Sequence, residues 1–192
     1  LDLLRSRQID ALRAKQRDEV MRGTADLDFG RGKAQFLAHR PVEPGAGIGG
    51  SGTATDAHMA AMETILREGL AQGAVAMGFG SAYTPGAPMS EIERMFRVAA
   101  EGGVSAHIHM RGGLTGLQET IAAAGAARTA LHIVHVNSSA GDDIDAFLAA
   151  IKAARDGGQD VTTEAYPYGA GMTEIQSALF DDWQKWPEDR FA

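Results

Sequence analysis

Between residues 55 and 165 the chain alternates short apolar runs with longer stretches in which apolar residues recur every three to four positions. Nearly continuous apolar runs are typical of strands buried on both faces of a parallel sheet, and the wider spacing is typical of helices. The runs occupy residues 74–79, 104–110, 131–136 and 161–165. Strands that alternate with helices form right-handed βαβ units. The pattern therefore predicts an α/β fold with a parallel sheet, either half of a (β/α)8 barrel or a doubly wound open sheet.

Polar residues with capping chemistry set the expected ends of the helices. Thr55 is expected to cap a helix that runs to about residue 72, because its side chain can accept a backbone N–H. Ser90 with Glu93, and Thr115 with Gln118, have the spacing of a capping box and predict two further helix starts. A fourth helix is expected at 143–156. The residues predicted to face the core include Met62, Ile65 and Leu66 in the first helix and Phe147, Leu148 and Ile151 in the last.

The two ends of the chain differ from this regular part. Residues 3–21 predict an amphipathic helix, residues 22–54 are rich in Gly and Pro and predict a loop, and a last helix is expected near Thr173. We therefore expect an N-terminal region at 1–54 and a partial barrel at 55–192. The G-x-G-x-x-G pattern at 45–50 follows two prolines rather than an apolar strand, so it does not predict a dinucleotide site.

Charge and composition restrict the expected partners. The chain has 25 acidic and 18 basic residues, a formal net charge of −7 and no run of Lys or Arg. This balance argues against a nucleic-acid or membrane partner and favours a small-molecule substrate. No apolar stretch approaches the roughly 20 residues that span a bilayer, and the expected location is the cytoplasm. Because the chain has no cysteine, any metal here must be bound by His, Asp or Glu.

Histidines stand near the ends of two consecutive predicted strands, where functional residues lie in both candidate folds. His107 and His109 lie near the end of the second predicted strand, and His135 lies near the end of the third. Side chains alternate along a strand, so His132 and His135 point to opposite faces, and His135 is nearer the functional end. Two imidazoles from neighbouring strands can bind one divalent cation at about 2.0 to 2.1 Å per bond. Alternatively, His107 and His109 could bind a metal together as a His-x-His chelate. The histidines could also have no metal-binding role and simply form hydrogen bonds in the core.

Polar and aromatic residues beyond the same strand ends are candidates for substrate binding. Arg111 could clamp a carboxylate or bond to the ends of neighbouring strands. Asn137 could bind substrate or form ordinary turn contacts. Tyr166 and Tyr168 could contact substrate or pack at the rim of the sheet. Glu164 lies on the same face of its strand and could reach the centre or form a rim ion pair.

Four blocks of sequence carry a family resemblance. They are GLAQGAVAMGFGSAYTPGAP from Gly69, HIHMRG around His109, HIVHVNSSAG around His135 and DVTTEAYPYGAGMT from Asp160. In their order and spacing they cover about half of the chain. This part of the sequence resembles the N-acyl-D-amino-acid deacylases of the amidohydrolase superfamily, and in particular the N-acyl-D-glutamate deacylases.

The resemblance implies a fold, a cofactor and two site residues. The fold is a partial (β/α)8 TIM-type barrel of a metal-dependent hydrolase, covering about strands 4–7, and the cofactor is zinc. His109 would be the metal ligand on the fifth strand and His135 the ligand on the sixth. The family's His-x-His pair is expected upstream of Leu1, and its general-base aspartate is expected beyond Ala192. We therefore expect no catalytic base within the chain and no activity from the chain alone.

The implied reaction is hydrolysis of a non-peptide amide bond in an N-acyl-D-amino acid, with N-acyl-D-glutamate as the expected substrate. Asn137 stands where many deacylases have lysine, and Met172 where they have serine, so the substrate side chain stays open. A cyclic-amide hydrolase similar to dihydroorotase is one alternative, although none of the four lysines lies at the end of a predicted strand. A non-catalytic α/β domain that binds a small ligand is the other.

Overall fold

The computed structural model describes residues 36–37, 53–172, 180 and 183–186. The chain divides into two compact units, Phe29–Gly171 and a second formed by Leu1–Asp28 with Met172–Ala192. Within the second unit, Trp183–Lys185 forms a 3-10 turn, and the rings of Phe180 and Trp186 lie 5.7 Å apart between centroids. The helices predicted at 3–21 and near Thr173 lie outside the described residues. The division at residue 54 stays a prediction.

One parallel sheet organises the larger unit. Its strands are β1 (Phe36–Leu37), β2 (Ala76–Phe79), β3 (Ser105–Ile108), β4 (Leu131–Ile133) and β5 (Val161–Thr163). Each strand pairs with the next one in the chain, so the spatial order is the sequence order. A doubly wound sheet reverses its order at a switch point, whereas barrel strands follow one another. The sheet is therefore a segment of a (β/α)8 barrel, which settles the choice that the sequence pattern left open.

All four predicted strands are present, each shorter than its apolar run. The runs extend beyond the ladders because apolar residues such as Val104 and Val136 also pack under the helices without pairing. β1 lies in the segment that the sequence predicted as a loop, and its two residues pair with Gly78 and Phe79 of β2.

In the part of the chain that the structure describes, five α-helices connect and cover the strands. They are α1 (Asp56–Ala71), α2 (Met89–Glu101), α3 (Gly113–Ala127), the short α4 (Val136–Ala140) and α5 (Ile144–Asp156). Among the described residues, none of the helices has the length and apolar character needed to cross a membrane. The helices pack on one face of the sheet, where they bury Phe96, Leu117 and Phe147 against Ile108 and Ile133.

The other face of the sheet is polar. Ala106 and Ile108 point to the helices, so alternation places Ser105, His107 and His109 on the opposite face. His132 lies beside His107 in the register of β3 and β4, and Thr162 lies beside His132 in the register of β4 and β5. Imidazoles and hydroxyls, rather than apolar side chains, therefore line the face that a closed barrel turns inward.

Two predicted capping boxes are wrong. α2 begins at Met89 with Pro88 at the N-cap, where the Pro88 carbonyl accepts N–H groups from Glu91 and Ile92. α3 begins at Gly113, because Gly112 at the N-cap turns the chain in the left-handed region. In both helices the proline or glycine turn fixes the start before the Ser or Thr. The Thr55 cap of α1 is confirmed, and its partner is His58.

Two residues predicted to face the core are not buried. Ile65 is 42% exposed and Leu148 is 46% exposed. Ile65 precedes Leu66 in α1 and Leu148 follows Phe147 in α5, and in each pair the buried neighbour takes the inward position. The short helix α4 contains Val136, which was predicted to end a strand, and residues 137–140, for which the sequence predicted no helix.

Candidate metal centre

His109 is held in place by hydrogen bonds to its own backbone. It directly follows β3, and its N–H donates to the Phe79 carbonyl at 2.8 Å. Its carbonyl accepts the N–H of Ala82 at 3.0 Å and the hydroxyl of Ser81 at 3.2 Å. The loop after β2 therefore fixes the backbone of His109 at the carboxyl end of the sheet.

His135 has an unusual backbone conformation. Its φ of 53° and ψ of 49° lie in the left-handed region, which a residue with a side chain adopts at a cost of order 1 kcal/mol or more. Its carbonyl begins α4 by accepting N–H groups from Ser138 and Ser139. Its N–H donates to Oε1 of Glu164 at 2.7 Å, and its Nδ1 lies 3.0 Å from the same oxygen. Glu164 directly follows β5, so two strand ends meet at this residue.

The two imidazoles come together, as the sequence predicted. The rings of His109 and His135 are 5.7 Å apart between centroids and nearly perpendicular, at 84°. The ring of Tyr83 lies 5.1 Å from that of His109 between centroids, and the ring of Tyr166 lies 5.6 Å from that of His135, both in T-shaped arrangements. Tyrosines thus flank the histidine pair on both sides.

The geometry and charge of this pair fit a divalent cation. Two imidazoles bound to one tetrahedral ion at about 2.0 to 2.1 Å per bond place their ring centroids roughly 5 to 6 Å apart. Burial, with the nearby His135, holds the pKa of His109 below its usual value, so His109 is neutral near pH 7 and can donate a nitrogen lone pair. Across the described ranges, no group of three or more His, Asp and Glu side chains forms a complete metal site. The residues present therefore suit two positions of a coordination shell.

The side chain of Arg111 bonds to backbone carbonyl groups of the protein. Its guanidinium donates to the carbonyls of Ser81, at 2.9 Å, of Thr84 and of Ala87. These contacts are those of the strand-end alternative, and they tie the end of β3 to the loop after β2. Because that loop also bonds to the backbone of His109, Arg111 stabilises the loop that holds His109 in place.

Asn137 is bonded to the backbone of Tyr166. Its Nδ2 donates to the Tyr166 carbonyl at 3.3 Å, and its Oδ1 accepts the Tyr166 N–H at 3.4 Å. The pair joins α4 to the segment after β5 and places the Tyr166 ring beside His135. Tyr168 is 74% exposed. Of the four predicted substrate residues, the structure places only Tyr166 against the histidine pair.

A second pair of histidines lies nearer the amino ends of the strands. His107 and His132 stack with centroids 4.7 Å apart, and His107 bonds to Ser105 at 2.9 Å while His132 bonds to Thr162 at 2.8 Å. Burial, and then the neighbouring His132, lowers the pKa of His107. One nitrogen of each ring thus bonds to a neighbouring hydroxyl, and the ring of His107 lies against that of His132.

Sequence reasoning missed Tyr83, and it left the role of Glu164 open. Tyr83 lies in a 3-10 turn just after β2, so the rule that found His109 at a strand end could also have found it. The contact of Glu164 with the backbone of His135 depends on the left-handed conformation of His135. No spacing in the sequence indicates that conformation.

Comparison with known proteins identifies similar solved structures, among them several deacylases. No family model matches the chain, and no curated protein matches it. A structure of N-acyl-D-glutamate deacylase from Bordetella bronchiseptica, with zinc and a phosphonate mimic of the tetrahedral intermediate, is 31% identical with a TM-score of 0.55. The match covers 62% of this chain and 27% of that one.

D-aminoacylase gives similar matches. A structure described as defining a novel subset of amidohydrolases is 31% identical with a TM-score of 0.55, over 63% of this chain and 27% of that one. Another, from work on the binuclear metal centre of D-aminoacylase, is 30% identical with a TM-score of 0.56 over the same shares. The chain thus spans about a quarter of the length of these relatives. In its barrel strand order and strand-end histidines, the matched part of the chain is similar to N-acyl-D-glutamate deacylase and D-aminoacylase, which are enzymes of the amidohydrolase superfamily.

Proposed function

We propose that this chain is part of a zinc-dependent deacylase that hydrolyses the amide bond of an N-acyl-D-amino acid, with N-acyl-D-glutamate as the expected substrate. The observation that carries the proposal is the meeting of His109 and His135, from adjacent strand ends, at 5.7 Å between ring centroids. When bound, zinc polarises the scissile carbonyl and makes water a better nucleophile near neutral pH.

The residues of this chain then hold and border the reaction space. His109 and His135 bind the metal as neutral imidazoles. Tyr83 lies against His109 and Tyr166 against His135, so the two tyrosines border the histidine pair. Asn137 fixes the backbone of Tyr166, and the exposed Tyr168 is available to contact a small-molecule substrate.

The test is metal content and hydrolysis in the protein at its full natural length. His109→Ala and His135→Ala are expected to lose bound zinc on dialysis, measured by elemental analysis. They should also lose release of D-glutamate from N-acetyl-D-glutamate. His58→Gln is the matched control, because His58 lies on α1 far along the chain and glutamine keeps the capping-box acceptor.

Different outcomes separate the competing functions. The dihydroorotase-like alternative would be favoured if the two histidine variants lose zinc while the wild-type protein hydrolyses a cyclic amide and does not hydrolyse the N-acyl-D-amino acid. Zinc content that is unchanged in both histidine variants would overturn the assignment of the metal centre.

A further inference from the structure

Glu164 makes two contacts with a single residue through a single oxygen. Its Oε1 accepts the backbone N–H of His135 at 2.7 Å and lies 3.0 Å from the ring Nδ1 of the same residue. The carboxylate comes from the residue after β5, and the histidine from the turn after β4. The oxygen that accepts the main-chain N–H of His135 thus also lies within ion-pair distance of its ring.

We infer that Glu164 is a positioning residue for His135. An Nδ1 that donates to a carboxylate carries the proton, and the remaining lone pair of the ring is then on Nε2. Carboxylate partners of this kind orient the metal-binding histidines of many proteins and raise their basicity. The inference rests on the proposed function, because only a bound metal gives Nε2 its use.

The backbone of His135 supports the same inference. A left-handed conformation at a residue with a side chain persists only where the surroundings determine it. Here the Glu164 carboxylate accepts the His135 N–H, and the carbonyl of Glu164 accepts the next N–H, that of Val136, at 3.0 Å. Glu164 therefore binds both N–H groups of the strained turn.

Stability alone does not account for the contact. The side chains of His135 and Glu164 are 46% and 39% exposed, and ion pairs so accessible to solvent contribute little to folding. What the contact determines is direction, namely which ring nitrogen carries the proton and where the other one points. Its consequence is expected in metal binding rather than in the folding equilibrium.

The test compares Glu164→Ala, Glu164→Gln and a control, Asp160→Asn, in the protein at its full natural length. Asp160 is exposed and precedes β5, so the control makes the same charge change at the other end of the same strand. The first readout is the proton position on His135, taken from long-range proton–nitrogen NMR of the zinc-free protein. The second is zinc affinity, measured by competition with a chromophoric chelator.

The expected result is a graded one. In the wild type and in Glu164→Gln, whose amide oxygen can still accept, His135 carries its proton on Nδ1. In Glu164→Ala the proton moves towards Nε2, and zinc affinity falls roughly 10- to 100-fold. Glu164→Gln recovers the proton position and part of the affinity, and Asp160→Asn matches the wild type in both.

The two proposals fail in different ways. An Nε2 proton on His135 in the wild type, or a Glu164→Ala variant with unchanged proton position and zinc affinity, would overturn the positioning role alone. If the proton moves in Glu164→Ala while no form of the protein binds zinc, the proposed function fails and the control of His135 by Glu164 stands. Circular dichroism spectra that match the wild type exclude unfolding as the cause.

Discussion

Two glycines in helix α3 should differ in how much stability they lose on substitution by alanine. A Cβ added at Gly116 would lie 1.9 Å from the carbonyl oxygen of Arg111, which is backbone. A Cβ added at Gly125 would lie 2.0 Å from Nε2 of Gln159, the far end of a flexible side chain. The two distances are nearly equal, so any difference between Gly116→Ala and Gly125→Ala reports what stands in the way.

The magnitude follows from how far each neighbour can move. At Gly116 the helix and the Arg111 backbone must separate by roughly 1 Å, and overpacking of this kind costs about 1–3 kcal/mol even after the helical preference for alanine. At Gly125, Gln159 rotates away and gives up its 3.1 Å bond to the Ile121 carbonyl, a loss of about 1 kcal/mol. The gain of roughly 1 kcal/mol from replacing a helical glycine offsets that loss.

Urea unfolding followed by circular dichroism measures both effects. We expect Gly116→Ala to lower the free energy of unfolding by about 1–3 kcal/mol and Gly125→Ala to leave it within about 0.5 kcal/mol of the wild type. Equal destabilisation by the two variants would refute the reasoning, because rigidity of the neighbour would then not matter. A Gly116→Ala protein as stable as the wild type would show that α3 can shift freely from Arg111.

Three further predictions concern other parts of the fold. Phe147→Ala should cost about 3–5 kcal/mol of unfolding free energy and Leu148→Ala less than about 0.5 kcal/mol, since Phe147 is fully buried and its neighbour is not. Asn137→Ala should speed hydrogen exchange of the Tyr166 N–H by roughly 5- to 10-fold, the equivalent of about 1 kcal/mol. Unchanged exchange would show that the hydrogen bond from this N–H to Asn137 does not protect it. The hydrogen bond from Arg94 is the main cause that lowers the pKa of Glu63. The ionised Glu63 therefore stabilises the fold above the usual carboxyl pKa, and this contribution is lost as the pH falls through the lowered pKa of the folded protein. The stability difference between wild type and Glu63→Gln should therefore shrink on acidification, and a difference that grew would contradict this sign.

The strands and helices were predictable because their signals are local. Apolar runs and helical spacing indicated four strands and the main helices, and the Thr55 cap was confirmed. The errors arose where several local signals compete. Pro88 and Gly112 determine the starts of α2 and α3, and the Ser/Thr-x-x-Glu/Gln spacing lies too far into each helix to do so. The pairing of β1 depends on contacts far along the chain, which spacing does not indicate.

The candidate site divides along the same line. A parallel sheet brings the carboxyl ends of its strands to one edge, so His109 and His135 could be expected to meet once their strands were recognised. Their orientation has a different origin. The turn that aims His135 depends on Glu164, 29 residues later, and the loop that holds His109 depends on Ser81, 28 residues earlier. Sequence can thus indicate which side chains reach the edge of the sheet. The direction of each ring depends on partners that follow neighbouring strands. Substitutions at Glu164 therefore test the site more sharply than further changes to the histidines themselves.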